Sequence, residues 1–310
     1  MCIRDSSFLC VMFRSYYVGI TQTKILTVNS IVMLLSNVVL NYCLIFGKGG
    51  FPAMGVAGAA IASSVAEAVS LVFFIIYTGI TADKRKYGFR RAFTFRPQLL
   101  KGMLSISGWT MVQSFLSVSI WFIFFLAIEH LGERPLAVTN IVRNIAAMLI
   151  MIISAFATTA GALISNQIGA GEQRFLFKTC RMTLNLAYAL LIPLLIVLCL
   201  FPEPILRIFT DNPSLITASI PSVYVMATST LISAPAFILF NAVSGTGNTR
   251  AGFVMEMITL AVYTAAVYYG VIVLKPDVAL CWFSEHIYGI VLISLTWWYL
   301  KSGRWRGKKV

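Results

Sequence analysis

Eight stretches of this sequence are long, apolar and almost free of charge, and that pattern leaves few folds open. They run from about 24 to 46, 53 to 80, 98 to 130, 135 to 167, 173 to 200, 213 to 244, 250 to 274 and 277 to 300. Each exceeds the roughly 20 residues that an α-helix needs to cross a bilayer core, and none has the alternating pattern of an outer-membrane barrel strand. Backbone polar groups find no partner in hydrocarbon, so such segments are forced into helices. Composition excludes a soluble globule: 59% of residues are hydrophobic and 11% charged, against roughly a quarter charged in soluble domains. The expected class is an all-α integral membrane bundle of eight full spans, preceded by the tail of one more helix at about Ser7 to Ile20. Met1 to Ser7 read neither as a signal peptide nor as a helix start.

Turn-forming clusters separate the spans: Gly47-Lys48-Gly49-Gly50-Phe51-Pro52, Gly132-Glu133-Arg134-Pro135, Gly169-Ala170-Gly171-Glu172, Pro202-Glu203-Pro204, Asp211-Asn212-Pro213 and Lys275-Pro276-Asp277. A net charge of +13 would suggest nucleic acid in a soluble chain, but here the basic residues sit at helix ends. Assigned to alternating sides of a membrane, Lys and Arg divide roughly four to one. The richer side takes Lys24, the run from Lys84 to Lys101, Arg174, Lys178, Arg181, Arg250 and the chain end from Lys301. The poorer side holds Lys48, Arg134, Arg207 and Lys275. The reading is a multi-pass protein of the bacterial inner membrane with a cytoplasmic C-terminus and no nucleic-acid partner.

The segments around Gly19-Ile20-Thr21-Gln22-Thr23-Lys24 and Gly245-Thr246-Gly247-Asn248-Thr249-Arg250 are versions of each other. Each closes one apolar helix and opens another, on the same side, as a parallel repeat requires. Four spans lie between residue 97 and the second copy, whereas only about twenty residues precede the first, so an N-terminal truncation is expected. The reading divides the chain into 1–80, the remnant of an N-terminal lobe; 81–97, a basic cytoplasmic linker; 98–301, a C-terminal lobe of six helices; and 302–310, a basic tail.

Six scattered cysteines without a CxxC pair read as small core residues, not as metal ligands or disulfides. The two histidines, His130 and His286, have no second ligand at helical spacing, so neither a metal site nor an embedded enzyme is expected. No cofactor is expected beyond a coupling ion, H+ or Na+.

Polar side chains inside the spans are the informative ones, because hydrocarbon exposure costs several kcal/mol each. Asn29, Ser30, Asn37 and Asn41 fall within about 120° of arc on one helix, either as interhelical bonding or as cavity lining. Trp109, Gln113 and Ser117 follow four-residue spacing on another, and Asn140, Arg143, Asn144, Ser154 and Thr158 share a face of the next. Arg143 lies about 12 Å into its helix, too deep to snorkel easily, and is expected to pair with a carboxylate or helix carbonyls. Glu67, Glu256 and Glu285 are the candidate titrating acids, with helix-to-helix pairing as the alternative; Glu129, beside His130, reads as solvated. Trp282, Trp297, Trp298 and Trp305 read mainly as interface anchors.

The loop from Gly19 to Lys24, the helix Asn37-Val38-Val39-Leu40-Asn41-Tyr42-Cys43-Leu44-Ile45-Phe46-Gly47, the run from Pro52 to Ala62, Gln167-Ile168-Gly169-Ala170-Gly171-Glu172 and Ser244-Gly245-Thr246-Gly247-Asn248-Thr249 together resemble the multidrug and toxic compound extrusion (MATE) family. The resemblance implies a two-lobe bundle of six plus six helices. It implies secondary active efflux of amphiphilic, often cationic, drugs or metabolites in exchange for protons or sodium, by alternating access. It makes Asn29, Asn37 and Asn41 a coupling-ion or cavity cluster, lacking the aspartate that many relatives carry where Asn41 stands. It likewise lacks the glutamate that sodium-type relatives carry near Ser117. Substrate-cavity candidates are Trp109, Gln113, Asn140, Arg143, Asn144 and Thr158. Membrane lipids and an amphiphilic small molecule are the expected partners of a monomer. The rival is a flippase of related architecture for lipid-linked saccharides, which needs more basic residues around its cavity than Arg143 supplies.

Overall fold

The computed structural model describes residues 2–20, 22–81, 96–274 and 277–306, with side chains from residue 7 onward. Among these, eight helices are long and apolar enough to cross a membrane. The helices fall into two compact units, residues 1–96 and 97–310.

In the first unit α1 (Cys2–Gly19), α2 (Lys24–Phe46) and α3 (Gly55–Thr81) pack together. The helix α1 begins at Cys2 rather than near Ser7, which corrects the reading of the opening residues; they contain neither Gly nor Pro, and nothing local stops a helix from extending through them. The buried face of α3 is Gly58, Ala62, Ala66, Ser70, Phe74 and Thr78, a four-residue ladder of mostly small side chains that lets α2 approach closely. A Cβ on Gly58 would stand 2.6 Å from the Leu44 carbonyl oxygen. Towards α1 the ladder ends in larger groups: Phe13 stacks on Phe74 at 5.6 Å, and Tyr17 exchanges a hydrogen bond of 2.7 Å with Thr78.

The second unit comprises α4 (Pro97–Glu129), α5 (Glu133–Gly169), a 3-10 turn, α6 (Leu176–Leu200), the short α7 (Pro202–Leu206), α8 (Pro213–Gly245), α9 (Thr249–Val267), a π-helical turn at Tyr268–Val273, the short α10 (Val278–Cys281) and α11 (Ser284–Lys301). Its central pair is α5 and α8, which cross so tightly that a Cβ on Gly245 would lie 2.5 Å from the Gly161 carbonyl oxygen. Half of the apolar window of α8 is buried, as suits a helix that is apolar all round and enclosed by others. Pro235 interrupts it: with no N–H, proline leaves the carbonyl four residues earlier without its helical partner. That carbonyl belongs to Leu231, and the Tyr188 hydroxyl of α6 donates to it at 2.7 Å.

Two elements depart from the expected spans. Pro202-Glu203-Pro204, expected as a turn, opens α7, since proline is well suited to a first helical turn. The last span is broken at Trp282-Phe283, where the Ser284 hydroxyl donates to the Cys281 carbonyl at 2.8 Å and competes with the backbone ladder. The two copies of the repeated motif are capped differently. Asn248 accepts from the Ala251 amide at the start of α9, whereas Thr23 makes no side-chain cap for α2; Thr21 lies outside the described residues. So do residues 82–95 of the expected linker and 307–310 of the expected tail.

Gly245→Ala is expected to destabilise the chain by about 1–3 kcal/mol, read as a lower thermal unfolding midpoint in detergent. Gly108→Ala, which meets nothing within 4 Å, serves as the near-neutral control. Tyr188→Phe, which leaves the Leu231 carbonyl bare, should cost about 0.5–1.5 kcal/mol in the same assay.

Candidate functional site

A cavity of about 660 Å³ opens inside the second unit, walled by α4, α5, α8, α9 and α11. Its wall is mostly apolar and aromatic, and its polar groups converge from five helices. From α4 come Gln113 and Ser117, from α5 Arg143, from α8 Ser233 and Asn241, from α9 Glu256 and Tyr263, and from α11 Glu285 and Tyr288.

The two carboxyls are held by a crossed pair of tyrosines. Tyr288 of α11 donates to Glu256 Oε1 of α9 at 2.9 Å, and Tyr263 of α9 donates to Glu285 Oε1 of α11 at 2.8 Å. The two rings meet edge-on at 5.9 Å. Ser117 adds a third donor, reaching Glu256 Oε1 from α4 at 2.8 Å. The carboxyl absent from the sequence around Ser117 is thus delivered to it by α9. Glu256 is 2% exposed, and its second oxygen has no partner among the described residues, which is costly unless a proton, a cation or a ligand donor meets it.

Arg143 corrects an expectation. Among the described residues no carboxylate lies within ion-pairing distance of it; its guanidinium lies over the Phe125 ring, Cζ 5.1 Å from the centroid. A cation on an aromatic face is stabilised by the ring quadrupole while its N–H groups stay available, so the cavity keeps a half-buried positive charge apart from its two carboxyls.

The other candidates lie elsewhere. Trp109 sits outside the cavity wall, tilted against Phe253 at 5.1 Å with Arg250 above it. Asn140 is half-buried a turn away from Arg143, Asn144 is exposed, and Thr158 is exposed with its hydroxyl bonded back to the Ser154 and Ala155 carbonyls. In the first unit, Asn29 donates to Ser70 at 2.8 Å, Asn37 to Ser63 at 3.3 Å and Asn41 to Asn37 at 2.8 Å, so this stripe turns towards α3, while Ser30 is exposed. Glu67 accepts from the Ser7 hydroxyl of α1. Trp282 and Trp305 are each 3% exposed and belong to the core, not to an interface; Trp305 is fixed by its indole N–H on the Leu300 carbonyl. Tyr263, Tyr288 and Asn241 were not singled out from sequence. The available signal was spacing: Tyr288 is one turn from Glu285 and Tyr263 two turns from Glu256.

A sequence model of the MatE family matches residues 110–269, the stretch that supplies four of the five cavity helices. The chain belongs to the MatE family. As a MatE chain it resembles a probable multidrug resistance protein NorM of Thermotoga maritima, 26% identical over 233 residues that cover 72% of this chain and 48% of the relative. It is also 25% identical over 260 residues to the uncharacterized transporter YisQ of Bacillus subtilis, covering 81% of this chain and 55% of that one. The chain spans about half the length of these curated relatives. Among solved structures, an outward-facing MATE family transporter matches with a TM-score of 0.77 and 16% identity over 89% of this chain and 61% of its own. The Vibrio cholerae MATE transporter VcmN in its bent form matches at 0.79, with 16% identity, over 96% and 68%. The fold of this MatE protein is therefore that of MATE transporters, and it is a multi-pass membrane protein.

If the crossed tyrosines hold the acids, Tyr288→Phe and Glu256→Gln should couple in a double-mutant cycle by about 0.5–3 kcal/mol. The measurement is thermal unfolding of the parent, the two single variants and the double variant in detergent. Pairing Tyr288→Phe with Glu203→Gln, on α7, should give additive effects.

Proposed function

We propose that this MatE protein serves secondary active efflux, exchanging protons or sodium for amphiphilic, often cationic, drugs or metabolites by alternating access. The observation that carries the reading is the unpartnered, buried oxygen of Glu256 at the wall of a mostly apolar, aromatic cavity. A carboxylate there attracts a cation, and the apolar wall takes a hydrophobic body. A carboxyl that can hold a proton, a metal cation or a substrate ammonium, one at a time, provides exchange: each occupant excludes the others, so loading one favours release of another. Gln113, Ser233 and Asn241 offer adaptable hydrogen bonds of the kind that suits broad specificity.

The multidrug resistance named for the NorM relatives supports this reading. The flippase alternative is not favoured, because Arg143 is the sole Lys or Arg among the described residues lining the cavity, and a diphosphate calls for several such donors. The protein is proposed to act as a monomer in the bacterial inner membrane with its C-terminus in the cytoplasm, surrounded by lipid and using H+ or Na+ as coupling ion. The polar residues of the first unit, Asn29, Asn37, Asn41 and Glu67, are proposed to contribute to coupling, and Glu285 to share the titration with Glu256.

The gene encoding this sequence, expressed in its full reading frame in an efflux-deficient bacterium, should lower the accumulation of cationic dyes. Glu256→Gln should return accumulation towards the vector-only level while leaving membrane expression intact. Collapse of the proton gradient or removal of sodium, whichever abolishes efflux, identifies the driving ion. Unchanged accumulation across a panel of cationic dyes would count against the proposal.

A further inference from the structure

One end of the second unit carries the start of α6 and the end of α11; it is basic and aromatic, and among the described residues its cations have no carboxylate partner. Phe175 lies under two cations, with Arg174 Cζ 4.7 Å and Lys178 Nζ 5.9 Å from its ring centroid. Phe177 packs edge-on against Trp297 of α11 at 5.4 Å, so the two helices meet over aromatic rings. One turn beyond Trp297 comes Lys301, and Arg304 Cζ lies 5.2 Å from the Trp298 centroid. Arg174, Lys178, Lys301 and Arg304 are all exposed. Among the described residues none of the four is ion-paired with a carboxylate; the one pair is Arg207 with Glu203. The nearest acid in sequence, Glu172, is exposed and engages none of them.

The surface beneath these cations is apolar and, among the described residues, uncovered. Met182, Leu186 and Leu190 descend from Lys178 at four-residue spacing and are 63%, 55% and 48% exposed; Trp297 and Trp298 are 49% and 60% exposed. Exposed tryptophans mark the boundary between hydrocarbon and headgroups. Guanidinium and ammonium groups resting on rings at that boundary keep their remaining N–H donors for an anion. A free anion would use the cations alone, whereas an anion carrying acyl chains would use the ladder below them as well.

We propose that this cluster is a binding site for an anionic phospholipid. Its phosphate oxygens accept from Arg174, Lys178, Lys301 and Arg304, and its chains lie along the α6 ladder. The site stands apart from the cavity and is independent of the transport reading. It also differs from a general excess of positive charge at one membrane face, because it demands bound lipid in fixed proportion to protein.

The test is native mass spectrometry of the purified full chain in detergent, titrated with dioleoyl phosphatidylglycerol, with dioleoyl phosphatidylcholine, or with inorganic phosphate. One retained phosphatidylglycerol per chain is expected, in preference to phosphatidylcholine. Each charge removed, in Arg174→Gln, Lys178→Gln or Arg304→Gln, should weaken retention about fivefold, whereas Arg174→Lys should retain more than Arg174→Gln, and Arg207→Gln should bind as the parent does. Unfolding midpoints without lipid identify any variant that fails to fold; the comparison then rests on the remaining single changes, all on exposed side chains. Equal retention of phosphatidylcholine, undiminished phosphatidylglycerol binding in a folded variant that combines Arg174→Gln, Lys178→Gln and Arg304→Gln, or displacement of the lipid by equimolar inorganic phosphate would each overturn the proposal.

Discussion

Hydrocarbon offers no hydrogen bonds, so each polar group inside the second unit has to be satisfied by another helix or by its own. Most Ser and Thr hydroxyls answer locally, donating to the carbonyl three or four residues back, as Thr259, Thr264 and Thr296 do. Where local repayment fails, a neighbour steps in. Pro235 deprives the Leu231 carbonyl of its helical partner and Tyr188 supplies one. The carboxyls of Glu256 and Glu285 cannot satisfy themselves on their own helices, and the crossed tyrosines bind α9 to α11 in meeting that need. Much of the specific contact between the helices on this side follows from the same constraint.

The cavity is one place where the constraint is met only in part; Thr139 and Ser222 also keep buried hydroxyls without a partner among the described residues. Among the described residues, one oxygen of Glu256 and the guanidinium of Arg143 keep unused hydrogen-bonding capacity in a mostly apolar enclosure. Keeping them there carries a cost, and an occupant able to meet either group would be held preferentially. The tight crossing of α5 and α8 at Gly161 and Gly245 sets how closely these walls approach, since a side chain at either glycine would push the helices apart. Close packing at one end of that crossing and an open cavity further along it are thus two consequences of where the small residues fall.

Aromatic residues divide by depth rather than by type. Trp282 and Trp305 fill the core, Tyr263 and Tyr288 serve the acids, and Trp297 and Trp298 face outwards beside Lys301 and Arg304. Sequence position alone groups the four tryptophans together, because a run of apolar residues near a basic terminus looks the same whether a ring turns in or out. Asn144 and Thr158 lie outside the wall of this cavity for a related reason: a shared helical face says which residues point the same way, not how far along the helix the cavity extends.

The sequence by itself determined the class of the protein, the number and limits of its spans within a few residues, and its kinship, because span length and turn chemistry are local and the bilayer admits only helices. It also singled out Gln113, Arg143, Glu256 and Glu285, since a polar group in an apolar run is conspicuous wherever it sits. Only the tertiary structure decided that these four share one cavity, that Ser117 meets a carboxyl from α9, and that Arg143 rests on Phe125 instead of an acid. Those are relations between residues far apart in the chain. Periodicity reports which way a side chain faces on its own helix, while the rotation and depth of the neighbouring helix, set by packing over small residues, determine what it meets.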